Sequence, residues 1–150
     1  MAQHASVLLE RCIDLLSPAI ERSQNPVVVD ATLGLGGHTE ALLKKFPELI
    51  VIGIDRDRDA LALAKSRLAV FGDRFKSIHS VYDHIQECIE EFGYKKVDGI
   101  LFDLGLSSMQ LSESGRGFAF SHDALLDMRF DPKQKLTAAD IVNTYSESDL

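Results

Sequence analysis

Apolar positions along the chain change their spacing repeatedly, and each change marks an element. Over residues 5–16 (ASVLLERCIDLL), Val7, Leu8, Cys12, Leu15 and Leu16 fall on one helical stripe, with Glu10, Arg11 and Asp14 mostly away from it. Ser17-Pro18 is expected to end that helix, because the residue before proline is pushed out of the α region. The β-branched run Val27-Val28-Val29 then opens a strand over 27–32, and Ala41, Leu42, Leu43 and Phe46 give a helix over 38–46. A second strand covers 50–55, and Asp57-Arg-Asp59 opens a helix reaching Phe71. A third strand covers 75–79, a helix 83–92 (Ile85, Cys88, Ile89, Phe92) and a fourth strand 97–103. Strands alternating with helices predict right-handed crossovers and a parallel α/β sheet in the order 3-2-1-4. Ligand loops then belong at the carboxyl ends of the strands.

After Asp103 the alternation stops. Residues 104–135 have no clear period and are rich in glycine and serine, yet they hold Phe118, Phe120, Leu125, Leu126, Met128 and Phe130. An irregular stretch this long is uncommon and usually functional or mobile. Thr137-Ala-Ala-Asp140 resembles a capping box with Asp in place of Glu, starting a helix through Tyr145, and Ser146–Leu150 reads as the start of another. A doubly wound sheet normally continues past its fourth strand, so the chain is expected to be the N-terminal portion of a longer protein.

Composition narrows the class. The 150 residues are 45% hydrophobic and 26% charged, ordinary for a globular domain. Cys12 and Cys88 lie far apart without C-x-x-C spacing and are expected to be buried free thiols. No apolar run reaches the ~18 residues of a membrane span, and a cytoplasmic location is the expectation. The formal net charge of −7 has the wrong sign for long-range attraction to phosphate backbones. Any nucleic-acid contact must therefore be local or lie elsewhere in a larger assembly.

The chemistry gathers at Asp30-Ala-Thr-Leu-Gly-Leu-Gly-Gly-His-Thr39, a glycine-rich turn between strand and helix. Gly34, Gly36 and Gly37 can leave room for a ligand at a helix N-terminus. Asp55, ending the second strand, can accept hydrogen bonds from both ribose hydroxyls of a nucleoside cofactor. Thr39 stands where the dinucleotide fingerprint G-x-G-x-x-G needs a third glycine, which weighs against a nicotinamide-dependent oxidoreductase. Asp103, ending the fourth strand beside the first, suits a transferase acting on an amine, because a carboxylate can orient an N–H. It can equally cap the following turn. Tyr82 follows the third strand, where a side chain commonly packs on an adenine face. His4 can face a ligand or cap the first helix. No metal-ligand spacing and no G-x-S-x-G elbow is present. A non-catalytic RNA- or ribosome-binding module on the same fold stays open as an alternative.

His4-Ala-Ser-Val-Leu-Leu-Glu10, Asp30–Thr39, Gly53-Ile-Asp-Arg-Asp57, Asp98-Gly-Ile-Leu-Phe-Asp-Leu-Gly-Leu-Ser-Ser-Met-Gln-Leu111 and Arg116-Gly-Phe-Ala-Phe-Ser-His-Asp-Ala-Leu-Leu-Asp-Met-Arg-Phe-Asp131 resemble the bacterial 16S ribosomal RNA cytosine-N4 methyltransferases. The resemblance implies a class I S-adenosylmethionine-dependent, Rossmann-like sheet over 1–111, with an inserted helical substrate-recognition domain beginning in 112–150. It implies that Gly36, Gly37 and His38 contact the methionine end of S-adenosylmethionine, that Asp55 holds the ribose, and that Tyr82 flanks the adenine. Asp103 and Gln110 complete the cofactor site, with Asp103 also the candidate catalytic group. Arg116 and Arg129 are candidate RNA phosphate contacts, with structural salt bridges the competing role. Phe118 or Phe120 is the ring that would meet the cytosine or the sulfonium. The implied partner is 16S ribosomal RNA in the small subunit. Leu125 stands where the family often has proline, and family members are about twice this length.

Overall fold

In the computed structural model, residues 6–106, 115–121 and 123–150 are described, in two compact units, Met1–Leu104 and Gly105–Leu150. The first contains α1 (Leu9–Arg22), β1 (Val27–Asp30), α2 (Gly37–Lys45), β2 (Ile50–Asp55), α3 (Arg58–Leu68), β3 (Phe75–His79), α4 (Ile85–Glu91) and β4 (Gly99–Leu101). Short 3-10 turns precede β3 and α4. The strands form a parallel sheet in the expected order, β3-β2-β1-β4. β1 is central and wholly buried, as its unbroken valine run requires of a strand covered on both faces.

Strand alternation divides the core. Val28 and Val51 meet Ile13, Ile20, Leu42 and Leu43 of α1 and α2 on one face. Val27, Val29, Ile52 and Ile54 meet Cys88 and Ile89 of α4 on the other. Leu33, at the mouth of the sheet, packs on Leu61, Ala64 and Leu68 of α3.

α1 departs from expectation in two ways. It runs through Pro18 to Arg22 instead of stopping at Ser17. Proline has no N–H to give the Asp14 carbonyl, but Ile13 and Ile20 are both buried and pin the helix on either side of it. The Ser17 hydroxyl also donates to the Ile13 carbonyl at 2.7 Å. The buried stripe is Leu9, Ile13, Leu16 and Ile20, whereas Val7, Leu8 and Leu15 are exposed. The helix starts two residues later than the stripe supposed, because Leu8 takes a left-handed conformation (φ 50). α1 packs on α2 and on β4, and Leu16 lies where a Cβ on Gly99 would sit. Cys88 is buried and Cys12 half-buried, both free thiols.

The second unit contains α5 (Ala138–Thr144), with the expected reciprocal capping box between Thr137 and Asp140. Ser146–Asp149 forms a single hydrogen-bonded turn. Upstream of α5 the described residues are irregular, and their inside is Phe118 edge-on to Phe130 at 5.3 Å.

Candidate functional site

The glycine turn leaves β1 by bonding to both neighbouring strands. The Ala31 N–H donates to the Leu101 carbonyl (2.9 Å) and the Leu33 N–H to the Ile54 carbonyl (3.0 Å). The chain then turns back, with the Gly36 N–H on the Leu33 carbonyl at 2.8 Å. Gly36 has φ 76, and a Cβ there would run into Leu68 of α3. Glycine is therefore required twice over. From outside, Arg67 of α3 bridges Glu40 in the first turn of α2 and the Leu35 carbonyl (3.3 Å).

Four aspartates surround this turn, each held differently. Asp55 accepts from the Gly34 N–H (2.6 Å) with one oxygen and the Asp57 N–H (2.8 Å) with the other. Burial pushes its carboxyl up, against the pull of those two amides. Each oxygen keeps a further lone pair for a hydroxyl donor. Asp57 caps α3, accepting from the Asp59 and Ala60 amides. Asp30 is buried and accepts from the Thr39 hydroxyl (2.7 Å) and the Thr32 N–H (3.3 Å). Burial drives its carboxyl up to about 6, opposed by the Thr39 bond and the nearby His38 ring. Asp103 has a half-exposed carboxylate, and its backbone N–H donates to the Thr32 hydroxyl at 2.7 Å. The bond between Asp30 and Thr39 is not among the expectations drawn from the sequence. Its signal was present as an acid ending a buried strand with a hydroxyl nine residues on.

His38, on the first turn of α2, is also buried. Its Nε2 lies 3.0 Å from the Val7 carbonyl. A carbonyl can only accept, so Nε2 carries the hydrogen. Its Nδ1 faces Asp103 Oδ2 at 3.9 Å, an ion pair only when the ring takes its second proton. Ser6 lies against Gly37, and a Cβ on that glycine would collide with the serine hydroxyl.

Tyr82 and Phe102 leave strands on opposite edges of the sheet, yet their rings meet edge-on at 5.8 Å. Both stay exposed enough to present a face. Gln110 and His4 lie outside the described residues.

In the second unit, Arg116 donates to the Arg129 (3.1 Å) and Phe130 (2.6 Å) carbonyls and lies over the Phe118 ring at 5.5 Å. Arg129 forks onto Asp127 and donates to the Pro132 and Gln134 carbonyls. Both arginines thus support their own loop. Phe118 is buried, whereas Phe120 is fully exposed. Gly117 has φ 71, and a Cβ there would collide with the carbonyl of Leu125, the residue at the block's departure from proline.

Comparisons with known proteins fit this geometry. A family model described as the MraW methylase family matches residues 1–150. A relative from Kocuria rhizophila, named ribosomal RNA small subunit methyltransferase H, is 57% identical over 148 residues, covering 99% of this chain and 45% of its own. A Nocardioides relative of the same name is 56% identical over 147 residues, covering 98% of this chain and 46% of its own. The chain thus spans about half the length of the curated relatives it matches. An rRNA methylase structure from Streptococcus thermophilus superposes with a TM-score of 0.52 at 22% identity, over 70% of this chain and 57% of that one. A putative rRNA-methylase structure from Clostridium thermocellum gives 0.53 at 24%, over 72% and 56%. At those identities the structures speak for the fold alone: the sheet is the Rossmann-like one of class I methyltransferases. With a family model matched along its whole length, this chain belongs to the MraW methylase family.

Proposed function

We propose that this chain is the cofactor-binding part of an enzyme that uses S-adenosylmethionine to methylate the N4 amine of a cytidine in 16S ribosomal RNA. The observation that carries the reading is the convergence of the glycine turn, Asp55 and Asp103 at the carboxyl ends of the adjacent strands β1, β2 and β4. The printed name of the relatives supports an rRNA substrate. In this reading the 1–111 segment binds the cofactor, and 112–150 begins the part that recognises RNA.

The residues fit the cofactor. A Cβ on Gly34 would meet only the Thr32 carbonyl oxygen, in ordinary contact at 3.9 Å, and Asp55 keeps lone pairs for ribose hydroxyls. Tyr82 presents an exposed ring for the adenine, and Gly36, Gly37 and His38 take the methionine end. Gln110 and Asp103 complete the set. When bound, the cofactor supplies an electrophilic methyl group on sulfonium sulfur.

The cytosine N4 lone pair is delocalised into the ring, so the amine is a weak nucleophile. Asp103 accepts one amino hydrogen and holds the nitrogen in line with the methyl carbon. Alignment of this kind is worth several kcal/mol, within a possible range of about 7–11. Its anchor is firm, because the Asp103 backbone is tied through Thr32 to the start of the glycine turn. Of the two candidate rings, Phe120 is the exposed one and is the ring left open to an unstacked base of the RNA. The base must be unstacked, so the substrate is single-stranded or splayed RNA. Arg116 and Arg129 are the candidate phosphate contacts, alongside the support each gives its own loop.

Calorimetric titration with S-adenosylhomocysteine, and with NAD in parallel, tests the cofactor. Binding of the first alone is expected, and binding of NAD alone would overturn the reading. In a chain of the relatives' full length and at saturating S-adenosylmethionine, Asp103→Asn should lower methyl transfer to 16S RNA by at least tenfold. Turnover unaffected by that change would remove Asp103 from the mechanism.

A further inference from the structure

The three residues before α1 do something no helix cap requires. Leu8 precedes the helix in a left-handed conformation and offers no side-chain cap, and both Val7 and Leu8 expose their side chains. Burial of apolar surface therefore does not hold this segment in place. One hydrogen bond and one close packing contact do. The Val7 carbonyl accepts from His38 Nε2 at 3.0 Å, and Ser6 fills the space left by the missing side chain of Gly37.

Gly37 has no left-handed φ of its own, unlike Gly34 and Gly36. Its lack of a side chain answers to Ser6 and not to its backbone. An unusual Leu8 conformation, a buried imidazole on a backbone carbonyl and a glycine emptied for a serine all serve one placement. They bring residues 6–7 against the N-terminus of α2, beside the turn that carries Gly36. Strained backbone persists where its surroundings over-determine it, and such sites gather at ligand clamps.

We propose that Ser6–Val7 is a strap forming one wall at the methionine end of the cofactor site, and that His38 is the positioning residue that latches it. The inference rests on the cofactor reading above. His38 then acts through the Val7 carbonyl, with its second nitrogen turned to Asp103. One ring thereby ties the strap to the first turn of α2, beside the end of β4.

The two amide side chains separate the two ring nitrogens. Glutamine places a donor near the position of Nε2 and can keep the latch, whereas asparagine reaches only as far as Nδ1. Elastase cleavage at the Val7–Leu8 bond, located by mass spectrometry, reports the strap, and S-adenosylhomocysteine titration reports the site. In the unsubstituted chain, S-adenosylhomocysteine should slow that cleavage at least threefold. His38→Asn should speed it at least fivefold and weaken binding about tenfold, while His38→Gln stays within threefold of the unsubstituted cleavage rate. Gly37→Ala, which displaces Ser6 while leaving the ring intact, should also speed cleavage.

Cleavage in His38→Asn at the unsubstituted rate would overturn the latch. Binding of S-adenosylhomocysteine that leaves the cleavage rate unchanged or raises it would overturn the wall and keep the cofactor reading. A chain that binds no S-adenosylhomocysteine would overturn the wall and the cofactor reading together, even if His38→Asn still freed the strap.

Discussion

Asp30 in the sheet unit and Asp127 in the C-terminal unit are held in opposite ways. Asp30 is sealed at the end of a central strand, with a hydroxyl and an amide as its bonded partners, and burial raises its carboxyl to about 6. Asp127 lies in an irregular loop, where the Arg129 guanidinium lowers its carboxyl to about 2. The difference shows how each unit keeps its shape. In the sheet unit the strand ladder satisfies the backbone, so a buried acid can be tolerated for the geometry it fixes. Among the described residues of the C-terminal unit there is no such ladder upstream of α5, and arginine side chains bond carbonyls there instead. One region is ordered by periodicity and the other by particular side chains.

The largest break in the sheet unit should come from Gly36→Val. A β-branched residue at φ 76 also meets Leu68, and the combined strain and overpacking should cost about 3–5 kcal/mol. Chemical denaturation would measure it, and a loss below 1 kcal/mol would show that the turn can rearrange.

The next effect concerns pH. The folded Asp30 pKa, about 6, lies above the ordinary 3.8, so the fold favours the protonated acid. That contribution is complete below pH 3.8 and is lost as pH rises through 6, a swing on the order of 3 kcal/mol. Asp30→Asn should remove this fall in stability between pH 4 and 6. Thr39→Val, which deletes a bond to the ionised form, should move the fall to higher pH. Asp127 works with the opposite sign: its contribution is present above pH 3.8 and lost as pH falls toward 2. Denaturation midpoints across pH 2–7 would separate the two.

Gly117→Ala should have a smaller effect, about 1–3 kcal/mol, confined to the C-terminal unit. Hydrogen exchange should quicken around Met128, whose amide bonds the Arg116 carbonyl, and stay unchanged in β1. Quickening in both units would show that they unfold together. Arg129→Lys should be the mildest change. It keeps the charge and loses the fork, so the loop loosens with little dependence on salt.

The same contrast explains what could be read in advance. Val27–Val29 and Ile50–Ile54 announce buried parallel strands, because period and composition agree there, and the sheet order follows from crossover handedness. The Thr137–Asp140 box was legible because a cap is a local event. The course of α1 was not. Its true stripe, Leu9-Ile13-Leu16-Ile20, is as regular as the one first read, and only packing against β4 and α2 selects it over Pro18. The parts of His38 and Asp30 in the site depend on contacts with Val7 and Thr39 that spacing alone does not reveal. Phe118 and Phe120 are alike in sequence, and only tertiary burial tells the core ring from the free one.

The ties between β1 and β4 have a consequence in time. The Val27 N–H donates to the Asp98 carboxylate, and the Thr32 hydroxyl accepts from the Asp103 amide, each across a separation of 71 residues. On a ribosome β1 emerges early, but its partner on that side arrives some seventy residues later. Until then β1, β2 and β3 make a sheet with its most apolar strand at the margin, the arrangement most open to wrong pairing. α1 is made before β1 and covers the α2 face of that incomplete sheet, yet the other flank waits for β4. The glycine turn therefore acquires its Asp103 neighbour only after β1, β2 and β3 have all been made.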